Sequence, residues 1–160
     1  MINPDPVSVL EIFNSTYKLK IPNYQRNFTW SSNQAQDLVE DIKSKIYDPE
    51  EPLFLGSIIL DVSGKSNNEV QIIDGQQRLT TISILLIAFR QHAKKIDIKF
   101  SQSIQEKISF KDHYSGRFSG ERLVCSPSIR DVFIHMSNES WDGSFPEKIE
   151  NKQVKRQVNK

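Results

Sequence analysis

The spacing of apolar residues changes along the chain between the period of a strand and that of a helix, which predicts alternating strands and helices. Residues 6–15 have the helical spacing, whereas residues 17–21 alternate apolar and charged side chains as a strand does. A second helix is predicted to begin near Ser31 and Ser32, either of which can cap it. The apolar face of that helix would comprise Ala35, Leu38, Val39, Ile42 and Ile46.

The middle of the chain predicts a β-hairpin followed by a long helix. Residues 54–60 are apolar enough for a buried strand, residues 61–68 form a turn cluster, and residues 69–73 suit the returning strand. The helix is predicted over residues 76–95. Its inward side chains would be Leu79, Ile82, Leu85, Leu86 and Phe89.

The periodic pattern weakens after the long helix. Residues 96–100 alternate apolar and charged side chains and predict a strand, and residues 123–126 predict a shorter one. A helix is predicted over residues 127–136. From residue 146 onward the chain is polar and basic, and no packed element is predicted there.

This order of elements predicts an α+β fold, with a small mixed sheet packed by helices. We expect residues 1–100 to carry the functional motifs described below. Residues 101–160 are expected to continue the same domain and to end in a basic tail.

Composition narrows the class of protein. The chain has 160 residues, 37% of them hydrophobic, and a net charge of +1, which excludes a strongly basic DNA-coating protein but permits a local basic groove. A single cysteine, Cys125, excludes an internal disulfide framework and a multi-cysteine zinc site. The three histidines have no metal-like spacing, so a metal cage of protein ligands is not expected. No apolar run approaches a membrane span and no signal peptide is found, so we expect a cytoplasmic protein without membrane contact.

The densest polar chemistry lies where the returning strand meets the long helix, in the sequence I-I-D-G-Q-Q-R-L-T-T of residues 72–81. Asp74 could simply cap the helix and Gly75 could supply a positive φ angle. That explanation leaves unexplained the side chains of Gln76, Gln77, Arg78, Thr80 and Thr81. A helix N-terminus attracts anions and arginine binds phosphate, so a phosphate site is the other interpretation. Asp74 could then position water or hold Mg²⁺.

A second polar and aromatic segment covers residues 22–30. Its stacking, hydrogen-bonding and charged side chains are Tyr24, Gln25, Arg26, Phe28 and Trp30. They could stack on bases and bind phosphate. Alternatively, the aromatic side chains anchor a loop to the core and Arg26 pairs with a carboxylate such as Asp41. Phe28 and Trp30 suit packing better, whereas residues 24–26 suit a ligand better.

Three motifs together resemble a known family. Residues 21–30, I-P-N-Y-Q-R-N-F-T-W, are similar to its IPxYQRxYxW signature, with Phe28 where the family often has tyrosine. Residues 54–58, F-L-G-S-I, are similar to its FLGxI strand, and residues 73–81 match its IDGQQRLTT motif. The family is the N-terminal domain of GmrSD-type modification-dependent restriction proteins, which also occurs in SspE-type phosphorothioate-sensing defence proteins.

The resemblance implies a ParB/sulfiredoxin-like fold and nucleotide binding and hydrolysis at the DGQQR turn, with a divalent cation such as Mg²⁺. It also implies defence against phage by sensing modified DNA. Expected catalytic residues are Asp74, Gln76, Gln77 and Arg78, with Asp74 also the candidate Mg²⁺ ligand. Expected nucleotide-binding residues are Gly75, Arg78, Thr80 and Arg26. Expected DNA-sensing residues are Tyr24, Gln25, Arg26 and Trp30.

Full family members continue into a C-terminal HNH nuclease domain, and nothing in this chain resembles that nuclease. We therefore expect an NTP-hydrolysing regulatory domain that gates DNA recognition or cleavage by a nuclease domain or partner subunit. One alternative is a non-catalytic sensor of modified DNA. The other is a fragment that is inactive alone and could form a homodimer through surfaces meant for the missing part.

Overall fold

The computed structural model describes residues 6–47, 52–63, 68–112 and 114–145. In these ranges the chain forms the α+β fold that the sequence predicts, with a small mixed sheet packed by helices. The helices are α1 (Val9–Asn14), α2 (Ser32–Tyr47), α3 (Gln76–Ala93), α4 (Ile98–Ile108) and α5 (Arg130–Ser137). The strands are β1 (Lys18–Lys20), β2 (Ile59–Asp61), β3 (Glu69–Asp74), β4 (Ser109–Lys111), β5 (Phe118–Glu121) and β6 (Leu123–Val124).

The main sheet has the strand order β2-β3-β1-β6. Strand β3 is antiparallel to β2 and parallel to β1, and β1 is also parallel to β6. In this register Leu19 lies beside both Val70 and Leu123, and all three side chains are buried. The β2–β3 pair confirms the predicted hairpin, and β4 and β5 form a separate two-stranded hairpin.

Helix α3 is the central element of the core. Its side chains Leu79, Ile82 and Ile87 belong to the same buried cluster as the inward side chains of β1, β3 and β6. Helix α4 makes the most extensive contact with α3 and contributes Ile104 and Ile108 to the cluster. A helix that is buried on several sides has little amphipathic pattern, so its position depends on its neighbours more than on a single apolar stripe.

Arg90 joins the C-terminal half of α3 to α4 and α5. Its side chain is fully buried; Nη1 donates to Gln105 Oε1 and to the Ser137 carbonyl (3.0 Å), and Nη2 donates to the Met136 carbonyl (2.8 Å). Burial lowers the pKa of Arg90 to about 10, so the guanidinium stays protonated at neutral pH. Gln105 Nε2 also donates to the Ser137 carbonyl (2.9 Å), which closes a polar network among the three helices.

The strand predicted over residues 96–100 is wrong, because α4 begins there. Asp97 caps this helix: its Oδ1 accepts hydrogen bonds from the backbone N–H groups of Lys99 (2.8 Å) and Phe100 (3.2 Å). The alternation I-D-I-K-F imitates a strand over five residues, whereas the buried positions from Ser101 to Ile108 have helical spacing.

Three predictions of burial are also wrong. Phe54 is 82% exposed, because residues 52–58 do not form the predicted buried strand and only Ile59–Asp61 pairs with β3. Phe89 is 59% exposed on α3, and Ile46 lies on the exposed side of α2. A short apolar run does not specify which of its residues face inward when no ladder of backbone hydrogen bonds fixes them.

The remaining predicted elements near the C-terminus are confirmed in shorter form, as β6 and α5. The predicted turn residues 64–67 and the predicted basic tail from residue 146 lie outside the described residues. Among the helices that the structure describes, none is long and apolar enough to cross a membrane.

We predict that Arg90→Ala lowers the free energy of unfolding by about 3 kcal/mol, because the Met136 carbonyl and Gln105 Oε1 lose their donor and the Ser137 carbonyl keeps only its bond from Gln105 Nε2. Denaturant unfolding followed by circular dichroism measures this loss. Arg117→Ala is the matched control, since Arg117 is exposed on the hairpin and its loss should change stability by no more than about 0.5 kcal/mol. Equal stability of the two variants would contradict the role given to Arg90.

Candidate functional site

A single residue, Gly75, separates the end of β3 from the beginning of α3. Its φ angle of +88° confirms the predicted need for a glycine. A Cβ atom at this position would lie 2.9 Å from Ile58 Cγ1 and 3.3 Å from the Ser57 carbonyl oxygen. The F-L-G-S-I segment therefore packs directly against the D-G-Q-Q-R turn.

Asp74 does not cap α3, so the capping interpretation of this residue is wrong. The N-cap position is Gly75, and no side chain caps the helix. Asp74 is exposed and makes no side-chain hydrogen bond or salt bridge within the described part of the chain. The N–H groups of the first helical turn and the Asp74 carboxylate are therefore both available to a ligand.

Arg78 lies against the backbone of residues 56 and 57. Its Nη1 donates to the Ser57 carbonyl (3.2 Å), and a Cβ atom on Gly56 would approach the guanidinium to between 2.7 and 2.9 Å. Only a residue without a side chain leaves room for the guanidinium here, and the φ angle of +99° at Gly56 also favours glycine. One bond uses a small part of the five-donor guanidinium, and the other N–H groups remain available.

Gln77 fixes the 22–30 segment to the first turn of α3. Its buried Oε1 accepts hydrogen bonds from the backbone N–H groups of Thr29 (2.9 Å) and Trp30 (3.3 Å), and its Nε2 donates to the Asn27 carbonyl (2.9 Å). These bonds occupy both ends of the amide. The structure therefore gives Gln77 a positioning role within the site.

Arg26 is held beside the same turn by its neighbours in the chain. Gln25 Nε2 donates to the Ile73 carbonyl (3.0 Å), and the carbonyl of Asn27 accepts from Gln77. The backbone of Arg26 lies between these two attachments. Its exposed side chain makes no hydrogen bond or salt bridge in the described structure, so the predicted alternative of an ion pair with Asp41 does not form.

Gln76 contrasts with Gln77. Its side chain is only 7% exposed, and its Oε1 is enclosed without a hydrogen-bond donor among the described residues. Leaving a buried acceptor unsatisfied typically costs about 1–3 kcal/mol, so such a group is normally met by a donor such as a water or a ligand. Gln76 is the first residue of α3, next to the uncapped N–H groups.

Thr80 and Thr81 lie deeper than the sequence alone indicates. Thr80 is fully buried, and Thr81 Oγ1 donates to the Gln77 carbonyl (3.0 Å). Neither hydroxyl reaches the surface of the turn. Burial raises the pKa of Cys125 to about 12, so this cysteine is a protonated core residue and not a nucleophile.

The aromatic residues of the 22–30 segment separate into two environments. Trp30 packs against the core, as predicted, and Phe28 is half-buried. Tyr24 is 75% exposed. Of the aromatic residues in this segment, Tyr24 is therefore the one with a ring face open to a ligand.

Gly56 and Ser57 belong to the F-L-G-S-I motif, but the sequence did not assign them to the site, which both contact. The glycine within an otherwise apolar run was the available signal for a close backbone approach. Among the described residues no group of three or more histidine, cysteine or acidic side chains could hold a metal ion. Asp74 alone is compatible with Mg²⁺ that arrives with substrate phosphates, because Mg²⁺ usually keeps several waters and needs only one or two carboxylates.

Comparison with protein-family models matches residues 9–159 to the family described as the N-terminal domain of the GmrSD restriction endonuclease. This range includes all three motifs that meet at the turn. A search of curated proteins finds no match.

We predict that Gln77→Ala lowers the free energy of unfolding by about 2 kcal/mol, because it removes a buried side chain and the partly buried N–H groups of Thr29 and Trp30 lose their acceptor. In a Trp141→Phe background Trp30 is the sole tryptophan, so its fluorescence should shift to the red as the segment loosens. Gln102→Ala, at an exposed position of α4, is the control. Unchanged fluorescence and stability in Gln77→Ala would contradict the positioning role.

Proposed function

Since the chain belongs to the family of GmrSD restriction endonuclease N-terminal domains and is thus a component of a restriction system, we propose that it binds and hydrolyses a nucleoside triphosphate at the N-terminus of α3. Binding and hydrolysis would gate the recognition or cleavage of modified DNA by a nuclease domain that is not within this sequence.

The observation that carries this proposal is the unsatisfied first turn of α3. Its N–H groups have no capping side chain, and the neighbouring Gln76 amide oxygen is enclosed without a donor. The helix dipole and the free N–H groups favour an anion at this end. A capping side chain would satisfy those N–H groups, so a phosphate-bearing ligand accounts for the uncapped turn better than a structural turn does. The Gln76 amide oxygen is an acceptor and would take a donor such as a water.

Two arginines supply the positive charge that a polyphosphate requires. Arg78 has donors beyond the one used by the Ser57 carbonyl, and Arg26 is held beside the turn without a partner. Guanidinium groups bind phosphate oxygens through paired N–H donors, which makes the contact directional as well as electrostatic.

Asp74 and Gln76 are suited to orienting the attacking water. The exposed Asp74 carboxylate offers acceptors that no described residue satisfies, and hydrolysis needs an acceptor that directs the water oxygen at the terminal phosphorus. The Gln76 oxygen also lacks a donor, but it is enclosed and would contact the water only once ligand binding uncovers it. Water would add to phosphorus as the bond to the leaving diphosphate breaks, while Arg78 and the helix N–H groups stabilise the developing charge. A divalent cation such as Mg²⁺, held by Asp74 and the phosphates, would neutralise further charge on the nucleotide.

We predict Mg²⁺-dependent phosphate release from nucleoside triphosphates by the purified chain, reduced at least about 100-fold in Asp74→Asn and Arg78→Ala, because each loses a group that acts at the reacting phosphate. Released phosphate is measured by a coupled colorimetric assay. Arg117→Ala should retain wild-type turnover. Equal rates in all four proteins would exclude this site as the source of hydrolysis.

A second candidate function is favoured by the exposure of Tyr24. An accessible aromatic ring next to the unpaired Arg26 can stack on a base while the arginine contacts the backbone. In that case the chain would sense modified DNA without turning over nucleotide.

For this candidate we predict that Tyr24→Ala weakens binding to modified duplex DNA by about 10-fold and leaves the weak binding to unmodified duplex unchanged. Fluorescence anisotropy at fixed ionic strength measures both, with Tyr114→Ala as the control because Tyr114 is an exposed tyrosine on the β4–β5 hairpin. Should Tyr24→Ala bind both duplexes as the wild type does, the sensing role of this ring is excluded.

A further inference from the structure

Phe54 is an apolar aromatic residue whose exposure the core does not explain. Its side chain is 82% exposed, whereas the neighbouring Leu55 and the nearby Ile58 pack against the buried cluster. Within the described part of the chain its ring makes no contact with another ring or with a cation. Scattered apolar side chains are common on protein surfaces, so exposure alone assigns no function.

Phe54 lies close in sequence to the residues that contact the Arg78 guanidinium. Two residues further on, Gly56 lies directly under the Arg78 guanidinium, and the next carbonyl, of Ser57, accepts the Arg78 hydrogen bond. Two residues of extended chain span about 7 Å at most. The Phe54 backbone is therefore fixed within one short step of the proposed phosphate-binding arginine.

The segment that carries Phe54 is also rigidly attached. Leu55 and Ile58 anchor it to the core on one side, and Ile58 and Ser57 lie against Gly75 at the start of α3. Such anchoring keeps the backbone of residue 54 near the turn, and the Phe54 side chain remains mostly exposed. An aromatic side chain with free faces beside an anion site has the composition of a nucleotide-binding surface, in which the base stacks while cations hold the phosphates.

From this juxtaposition we propose that Phe54 is the residue on which the base of the bound nucleotide stacks. The inference rests on the proposed function, because it requires a nucleoside triphosphate at the N-terminus of α3. Stacking uses the π-face that every base offers, so this contact supplies affinity with little choice among bases. Purines, which have the larger ring area, should bind more tightly than pyrimidines.

The test compares a ligand with a base and a ligand without one. Calorimetry would measure the Kd of a non-hydrolysable ATP analogue and of inorganic tripolyphosphate for the full chain and its variants. We expect Phe54→Ala to weaken the ATP analogue about 10-fold and to leave tripolyphosphate unchanged, and Phe54→Trp to restore the analogue. Phe89→Ala, which removes an exposed phenylalanine from the last turns of α3, is the matched control and should change neither Kd.

The outcomes separate this inference from the proposed function. The stacking role would be overturned if Phe54→Ala left the Kd of the ATP analogue unchanged, or if it weakened the binding of both ligands equally. Either result would leave the phosphate site intact. Failure of the wild-type chain to bind either ligand would overturn the proposed nucleotide site and the stacking role with it. Arg78→Ala should weaken both ligands, which identifies the phosphate contact independently of the base.

Discussion

Only Gly75 separates β3 from α3, so the chain changes from extended to helical geometry within this one residue. The positive φ angle of that residue makes this abrupt change possible and places the first turn of α3 directly beside the end of the strand. No side chain caps the helix, so the N–H groups of that turn have no capping partner among the described residues. The same close approach brings Ser57 and Ile58 against the turn and so gives Arg78 its backbone partner. The candidate site is thus a consequence of how tightly the strand and the helix are joined.

Polar side chains fix α3 near both of its ends. At the N-terminus Gln77 binds the 27–30 backbone through three hydrogen bonds, and toward the C-terminus Arg90 binds the last carbonyls of α5 and the side chain of Gln105. Apolar packing between these points supplies most of the stability. Because it is non-directional, it does not fix the orientation of the packed segments. Hydrogen bonds of fixed geometry instead specify where each neighbouring segment lies along the helix. The position of the site relative to the core is therefore set by buried polar groups.

Sequence reasoning located α3, the β2–β3 hairpin and the polar turn because each carries a long periodic pattern or a glycine at a sharp bend. It failed over residues 96–100, because five alternating residues imitate a strand. The chain instead begins α4 at Ile98, where the Asp97 side chain caps the helix. The exposure of Phe54 could not be predicted, since an apolar residue in a short run gives no indication of which side of the chain it occupies. The different environments of Gln76 and Gln77, adjacent and chemically identical, follow from tertiary contacts that no local pattern encodes. The ParB/sulfiredoxin-like name for the fold stays a prediction with which this architecture is compatible.

Gating of a nuclease by a nucleotide requires that the nucleotide site be energetically coupled to the surface that meets DNA or the partner. In this chain the first turn of α3 contacts both candidate surfaces through side-chain-to-backbone hydrogen bonds. Gln77 attaches the segment that carries Tyr24 and Arg26, and Arg78 attaches the segment that carries Phe54. A phosphate bound by the free N–H groups of Arg78 would share the guanidinium with the Ser57 carbonyl, so it would act on the side chain that holds the neighbouring segment. The contacts of one helical turn thus provide a short physical connection from the proposed phosphate site to two surface segments.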